Sequence, residues 1–171
     1  MNGQPVEVLT SLKVAFQLGK EDVYGSSQEL LRCETHTAIT FYREVAKHAD
    51  PAIRAENFVA VMEMLQAAAT KKFGPAERAL GQIYLEGLAI PRNDVASTQF
   101  FMLAAKHGDP EGQLQTGNAM VVGRGTAKNS SGAAVWYRKA AGANMPQAAL
   151  NLGILYSKGE GVPQSVEDAV K

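Results

Sequence analysis

The stretch GQIYLEGLAIPRN, residues 81–93, decides how this chain folds. It places one glycine, Gly81, inside a helical pattern and a second, Gly87, where that helix should end. A glycine in the middle of a helix costs about 1 kcal/mol relative to alanine, so we expect close packing to require Gly81. Gly87 fits the left-handed residue that commonly ends a helix.

The same pattern recurs at an interval of 36 residues. The recurring columns are Gly81 with Gly117 and Gly153, Gly87 with Gly123 and Gly159, Ala76 with Gly112 and Ala148, Tyr84 with Met120 and Tyr156, and Phe100-Phe101 with Trp136-Tyr137. A fixed period of this length that spans two successive helical patterns is typical of a solenoid of antiparallel helix pairs. The sequence therefore predicts an all-α fold, an alpha-alpha superhelix.

Each period divides into two amphipathic helices. The first carries its buried stripe at every fourth residue, as at Ala76, Leu80 and Tyr84, and the second carries an aromatic pair followed by an alanine pair. We interpret Gly81 and its counterparts as the points where the alanine pair of a partner helix approaches the backbone. The predicted N-caps of the second helices are Asn93, Asn129 and Ser165.

Length and composition favour one domain, because 171 residues with 46% hydrophobic content supply one sizeable core. Segments of the N-terminal part match the later ones, as AKHADP (46–51) matches AKHGDP (105–110). The predicted segments of a single solenoid domain, 1–171, are a degenerate N-terminal repeat (1–50), a linking helix or shortened repeat (51–72), repeats at 73–110 and 111–146, and a C-terminal repeat (147–171) truncated within its second helix. We expect the native protein to continue beyond that point.

The segments AALNLGILYSKGEGVPQSVEDAVK (148–171) and AVWYRKAAGANMPQAAL (134–150) resemble the Sel-1-like repeat, a branch of the tetratricopeptide-like solenoids. The resemblance is close over 73–171, with Ala89 in place of the second turn glycine, and degenerate over 14–50. It implies a non-catalytic scaffold or adaptor that binds a protein or peptide on its concave face. Family members act in bacterial regulation, secretion and effector neutralisation, and in eukaryotes in quality control of secretory proteins. Some secreted members lock each repeat with a cysteine pair, which this sequence does not have.

The charge balance bears on the partner. Seventeen basic and seventeen acidic side chains cancel, which argues against nucleic acid as a partner. No apolar run is long enough for membrane insertion, and the N-terminus has no signal-peptide pattern, although a signal could have been removed. We therefore expect a protein or peptide partner and no cofactor, with self-association possible and the compartment open between periplasm and cytoplasm.

The candidate binding surface is a second stripe on the first helices, opposite the buried one and different from repeat to repeat. Its predicted residues are Gln82, Glu86, Glu111, Gln115, Asn118, Val122, Gln147, Asn151, Ile154 and Lys158. Amides with scattered apolar side chains suit an extended peptide, and the alternative is a merely solvated face. On the first interpretation, joint replacement of Asn118, Asn151 and Lys158 weakens binding without lowering the melting temperature.

A metal or enzymatic site is the competing hypothesis. Cys33, His36 and His48 could supply three ligands, whereas a structural zinc site normally needs four. The same Cys33 with His36 as a base would lack a third group to orient the histidine. His107 is interpreted as an ordinary cationic cap near the last carbonyls of its helix, and GRG (123–125) as a repeat turn. No catalytic residue is therefore assigned.

Overall fold

In the computed structural model, residues 27–47 and 51–165 are described, with the backbone alone over 51–56. This part of the chain forms α-helices and no strands, so the predicted all-α fold is confirmed. The helices are α1 (Ser27–Lys47), α2 (Pro51–Thr70), α3 (Gly74–Glu86), α4 (Asp94–Lys106), α5 (Pro110–Val122), α6 (Ser130–Gly142) and α7 (Pro146–Lys158). None of the described helices holds an apolar stretch long enough to span a bilayer.

The chain divides into two compact units, Met1–Met64 and Leu65–Lys171. In the first, α1 buries a stripe at alternating intervals of three and four residues, as amphipathic helices do. The ring of Tyr42 on this stripe packs against Phe58 with 6.2 Å between ring centroids. The stretch at 51–72, for which the sequence left two alternatives, contains the single helix α2.

The second unit is an alternation of helices of equal length. Each helix from α3 to α7 has 13 residues. Gly87, Gly123 and Gly159 end α3, α5 and α7 in the left-handed conformation, with φ of 65°, 75° and 67°, which confirms their predicted role. One backbone hydrogen bond closes each of the following turns: Asn93 N to Tyr84 O at 2.9 Å, Asn129 N to Met120 O at 2.8 Å, and Ser165 N to Tyr156 O at 3.1 Å.

Two of the predicted N-caps are confirmed by their hydrogen bonds. The side chain of Asn93 accepts from the backbone N–H of Ala96 at 3.0 Å, and that of Asn129 accepts from Gly132 at 2.8 Å. Each bond satisfies one of the donors that a helix N-terminus leaves free. The helix that Ser165 would open lies outside the described residues.

The glycine within the first helix of two repeats, Gly81 and Gly117, makes room for an aromatic ring. A Cβ placed on Gly81 would lie 2.7 Å from Cδ1 of Phe101, and one on Gly117 would lie 2.6 Å from Cδ1 of Tyr137. The interpretation that the alanine pair fills this space is therefore wrong, because the ring at the second aromatic position already occupies it. The alanine contact lies one turn earlier, where a Cβ on Gly112 would meet that of Ala104 at 2.6 Å.

The first aromatic position is less enclosed than the second. Phe101 and Tyr137 are buried, whereas Phe100 and Trp136 are half-buried. Phe100 stacks on Tyr84 with 5.6 Å between centroids and 7° between ring planes. The outer aromatic of the pair therefore packs on the side of the preceding helix, and Tyr84 is half-buried in place of the full burial that its stripe predicts.

His107 binds a buried carboxylate. Its Nδ1 lies 2.7 Å from Oε2 of Glu77, a residue that is 2% exposed. The interpretation of this side chain as a cap on the last carbonyls of α4 is wrong, because its Nδ1 contacts the Glu77 carboxylate, which requires a polar partner in its buried position. The backbone N–H of His107 does cap α4, by donating to the carbonyl of Leu103 at 3.0 Å.

We expect His107→Ala to lower the free energy of unfolding by about 1 to 2 kcal/mol, because it leaves the buried Glu77 carboxylate without that partner. Urea denaturation followed by circular dichroism measures the change. Lys106→Ala, on the exposed face beside it, is the control and should shift the midpoint little. If the two variants unfold at the same midpoint as the parent, the pair contributes no stability.

Candidate functional site

A cavity of about 320 Å³ opens between α5 and α7. Its lining comes from α5, α6, α7 and the two turns that follow α5 and α7, and we call it the α5–α7 groove. The lining residues are Asn118, Val121, Val122, Arg124, Tyr137, Asn151, Ile154, Leu155, Lys158 and Glu160.

A chain of side-chain hydrogen bonds crosses the α5–α7 groove and joins two consecutive repeats. The Nδ2 of Asn151 donates to Oδ1 of Asn118 at 3.0 Å, and the hydroxyl of Tyr137 donates to the same oxygen at 2.9 Å. Gln147 in turn donates from Nε2 to Oδ1 of Asn151 at 3.1 Å. These bonds fix the orientation of both asparagines. The Nδ2 of Asn118 donates no hydrogen bond within the described residues.

Tyr137 anchors this network from the core. A tyrosine hydroxyl is protonated at neutral pH, and burial raises the pKa of this one further above its ordinary value, so the group keeps donating. The ring itself packs in the core cluster with Leu114 and Leu155. The groove therefore has a rigid polar floor that is held by the same side chain that fills the space beside Gly117.

Apolar side chains border the polar floor on both helices. Val122, the last residue of α5, is 67% exposed, and Ile154 on α7 is 41% exposed. Large apolar side chains at a cavity that also offers a hydrogen-bond donor are typical of a site that binds another molecule.

Charged side chains close one end of the α5–α7 groove. Arg124 and Glu160 occupy the middle of the two Gly-x-Gly turns, and Lys158 is the last residue of α7. Atoms Nε and Nη2 of Arg124 are buried without a hydrogen-bond partner within the described part of the chain. The guanidinium is thus an incompletely satisfied donor beside the cavity.

The predicted binding residues separate into two groups. Asn118, Val122, Asn151, Ile154 and Lys158 line the α5–α7 groove together. The others lie outside it, and each pairs with a residue of its own helix. Gln82 pairs with Glu86 at 2.8 Å and Gln115 with Glu111 at 2.7 Å, whereas Gln147 pairs with the groove residue Asn151. The column of the stripe that holds Gln115 and Asn151 has Ala79 in the first repeat, and the structure buries Ala79.

The structure adds groove residues that the stripe does not contain. Arg124 and Glu160 lie in turns that sequence reasoning treated as connections, and Tyr137 lies at a position treated as core. The available signal was the middle residue of each Gly-x-Gly turn, which is charged in both. A helical stripe cannot include it, because these residues follow the helix end.

The contacts of Asn118 change the expectation for the triple replacement. Because Asn118 accepts from the buried Tyr137, its loss removes a hydrogen bond from the core side of the groove. We therefore expect joint replacement of Asn118, Asn151 and Lys158 to lower stability, in contrast to the prediction from the sequence. Exposed apolar residues provide a cleaner test of the groove.

The competing metal hypothesis rests on residues of the first unit. Cys33 and His36 are both exposed on α1, and His48 lies outside the described residues. Over the described ranges, no group of three or more histidine, cysteine, aspartate or glutamate side chains could hold a metal ion.

Helices of equal length, ended by the same left-handed glycine and closed by the same hydrogen bond every 36 residues, define a helical-repeat protein. A family model described as the Sel1 repeat matches residues 74–109, 110–145 and 146–171, more than half of the sequence. The chain belongs to the Sel1 repeat family, and the predicted solenoid class is confirmed. Repeats of this family commonly mediate protein–protein interaction and are generally non-catalytic scaffolds.

Solved structures of bacterial proteins share this fold. A Sel1 repeat protein from Oxalobacter formigenes is 27% identical with a TM-score of 0.65, and the match covers 80% of this chain and 50% of that one. A protective antigen present in uropathogenic Escherichia coli strains, which displays an SLR fold, is 21% identical with a TM-score of 0.66 over 95% and 38% of the two chains. Helicobacter pylori cysteine rich protein B is 20% identical with a TM-score of 0.52 over 72% and 96%. The chain thus spans half or less of the length of the first two proteins.

Proposed function

We propose that this protein is a non-catalytic adaptor that holds an extended peptide segment of a partner protein in the α5–α7 groove. The observation that carries the proposal is the asparagine pair that bridges two repeats, with apolar side chains exposed beside it. An extended segment has unpaired main-chain carbonyls, and the free Nδ2 of Asn118 is a donor for one of them. Val122 and Ile154 would contact its side chains.

Rigidity supports this function further. Asn118 and Asn151 are held in place by Tyr137 and Gln147 before any partner arrives, so binding costs little side-chain entropy. Apolar contact then supplies affinity, while the oriented amide requires a hydrogen-bond acceptor at one point of the ligand. A rigid donor beside two apolar contacts fits a strand of main chain.

The wider role in this proposal is that of a bacterial adaptor in regulation, secretion or effector neutralisation. The similar solved structures come from Oxalobacter formigenes, Escherichia coli and Helicobacter pylori, which supports a bacterial setting. In the same proposal, residues 1–50 form a degenerate repeat and 51–72 a linking helix ahead of the repeats at 73–110, 111–146 and 147–171. The partner is a protein, and neither nucleic acid nor a cofactor takes part.

The test is the double variant Val122→Ser with Ile154→Ser. Heptapeptides with capped ends are selected from a random library on the parent protein, and their Kd is measured by fluorescence anisotropy. We expect the variant to bind the selected peptides about tenfold more weakly or worse, because two apolar contacts are lost. Its melting temperature should stay close to that of the parent, since both side chains are exposed.

The matched control replaces two exposed valines outside the groove, Val95→Ser with Val135→Ser. This control removes a similar apolar area from α4 and α6 and should leave the affinity unchanged. If the groove variant and the control bind the selected peptides as tightly as the parent, the groove is not the binding site.

A further inference from the structure

The charged end of the α5–α7 groove is unlike the same place in the preceding repeat. Arg124 stands where the first matched repeat has Leu88, and Lys158 stands where the first two have Glu86 and Val122. The groove therefore gathers two cations that the 36-residue period does not require. Because Leu88 and Val122 occupy the equivalent positions in earlier repeats, packing of the solenoid does not require a cation at Arg124 or Lys158. We therefore look for a role of these charges in binding.

Neither cation forms an ion pair within the described residues. The ion pairs found there join Lys47 to Glu44, Arg78 to Asp109, Arg92 to Asp94, and His107 to Glu77. Lys158 and Arg124 belong to none of them, and two nitrogen atoms of the Arg124 guanidinium are buried without a hydrogen bond.

The carboxylate on which Arg124 acts electrostatically is that of Asp94, and it is already bound by Arg92. Asp94 accepts from Nε of Arg92 at 2.8 Å and from Nη2 at 3.3 Å. This pair is the main cause of the lowered pKa of Asp94, and Arg124 contributes to a smaller extent. Arg124 therefore shares the charge of Asp94 with Arg92, and an additional carboxylate in the groove would give Arg124 a partner of its own.

Resting on the proposed function, we propose that the α5–α7 groove selects peptide segments with an acidic side chain between apolar ones, the carboxylate lying against Arg124 and Lys158. The apolar neighbours contact Val122 and Ile154, and the main chain meets Asn118. Glu160 lines the same end of the groove and can accept from a main-chain N–H of a segment that continues past the acidic residue. A chain that ended there would have no following N–H to offer, so the carboxylate is that of a side chain.

The probes are two capped peptide libraries, acetyl-X-X-Leu-Glu-Leu-X-X-amide and the same library with glutamine in place of glutamate. Binding to the full chain is measured by fluorescence anisotropy at 0.15 M salt. We expect the glutamate library to bind about fivefold more tightly, and the difference to vanish in the variant Arg124→Gln with Lys158→Gln. Glu160→Gln should enlarge the preference, because it removes the acidic side chain from the same end.

The matched control is Lys106→Gln with Lys128→Gln, which removes the same net charge from exposed positions outside the groove and should keep the preference. Equal binding of the two libraries by the parent would overturn the acidic preference and leave the groove as a peptide site. Failure of both libraries and of peptides with a free C-terminal carboxylate to bind would overturn the proposed function as well. If peptides with a free C-terminal carboxylate bind and the capped ones do not, the side-chain assignment is wrong.

Discussion

Gly117→Leu is expected to lower the free energy of unfolding by about 3 kcal/mol or more, a larger loss than overpacking usually causes. A Cβ at this position already meets three carbon atoms of the Tyr137 ring, and three further carbons of leucine have no space. Tyr137 cannot move away cheaply, because its ring belongs to the core cluster and its hydroxyl is bonded to Asn118. Urea denaturation of the variant beside the parent measures the loss.

The control is Gly142→Leu in α6, where a Cβ would meet nothing within 4 Å. In this exposed position leucine should be neutral, or should stabilise by up to about 0.8 kcal/mol through its higher helix propensity. An unaltered urea midpoint for Gly117→Leu would show that the glycine is not needed for packing. Equal losses at the two positions would also contradict the explanation, since a contact with Tyr137 exists at one of them.

The sequence predicts the repeat architecture well because the recurring positions require particular residue types that few others can replace. A left-handed helix end at Gly87 and an asparagine N-cap at Asn93 depend on local backbone geometry, so they can be inferred from one segment. The same two signals then recur 36 residues later, which supports the assignment in each following repeat. Both features lie where the pattern places them.

Another left-handed position escapes prediction because its residues differ. Lys72, Gly108 and Asn144 are 36 residues apart and have φ of 58°, 84° and 60°. Each lies two positions before the first residue of the first helix of a matched repeat, and the glycine alone reveals nothing without the other two. A backbone conformation can thus be repeated by context while the side chain varies, which a search for recurring glycines cannot detect.

The groove is predicted in part for a similar reason. Helical spacing brings Asn118, Val122, Asn151 and Ile154 to one side of the first helices, and the structure places them around one cavity. Helical spacing alone does not show that Tyr137 reaches Asn118 from the next helix, because that contact depends on the packing of two helices against each other. The buried pair of Glu77 and His107 was missed on the same grounds, as the two residues are 30 positions apart.

Gly125→Ala is expected to cost about 3 kcal/mol of stability, because two penalties add at this turn. The residue has φ of +63°, a conformation that costs an alanine roughly 1 to 2 kcal/mol. Its Cβ would also overlap the backbone of α4, meeting the carbonyl oxygen of Asp94 and lying 2.8 Å from the nitrogen of Val95. Backbone atoms at a helix N-terminus cannot turn aside as a flexible side chain would, so the turn and α4 must separate.

Gly108→Ala measures the conformational penalty alone, so the contact penalty of Gly125→Ala can be obtained by difference. Gly108 has φ of +84°, but a Cβ there would meet nothing within 4 Å, so its replacement should cost only the conformational share of roughly 1 to 2 kcal/mol. The excess loss of Gly125→Ala over Gly108→Ala, measured by urea denaturation, therefore reports the contact between one repeat and the start of α4 in the repeat before it. Hydrogen exchange adds a local measure: the hydroxyl of Thr98 donates to the carbonyl of Arg124 at 2.7 Å across the same contact, and amide protection in α4 should fall in Gly125→Ala. If the two variants lose the same stability and α4 keeps its protection, the second glycine of the turn serves its own backbone conformation and does not join neighbouring repeats.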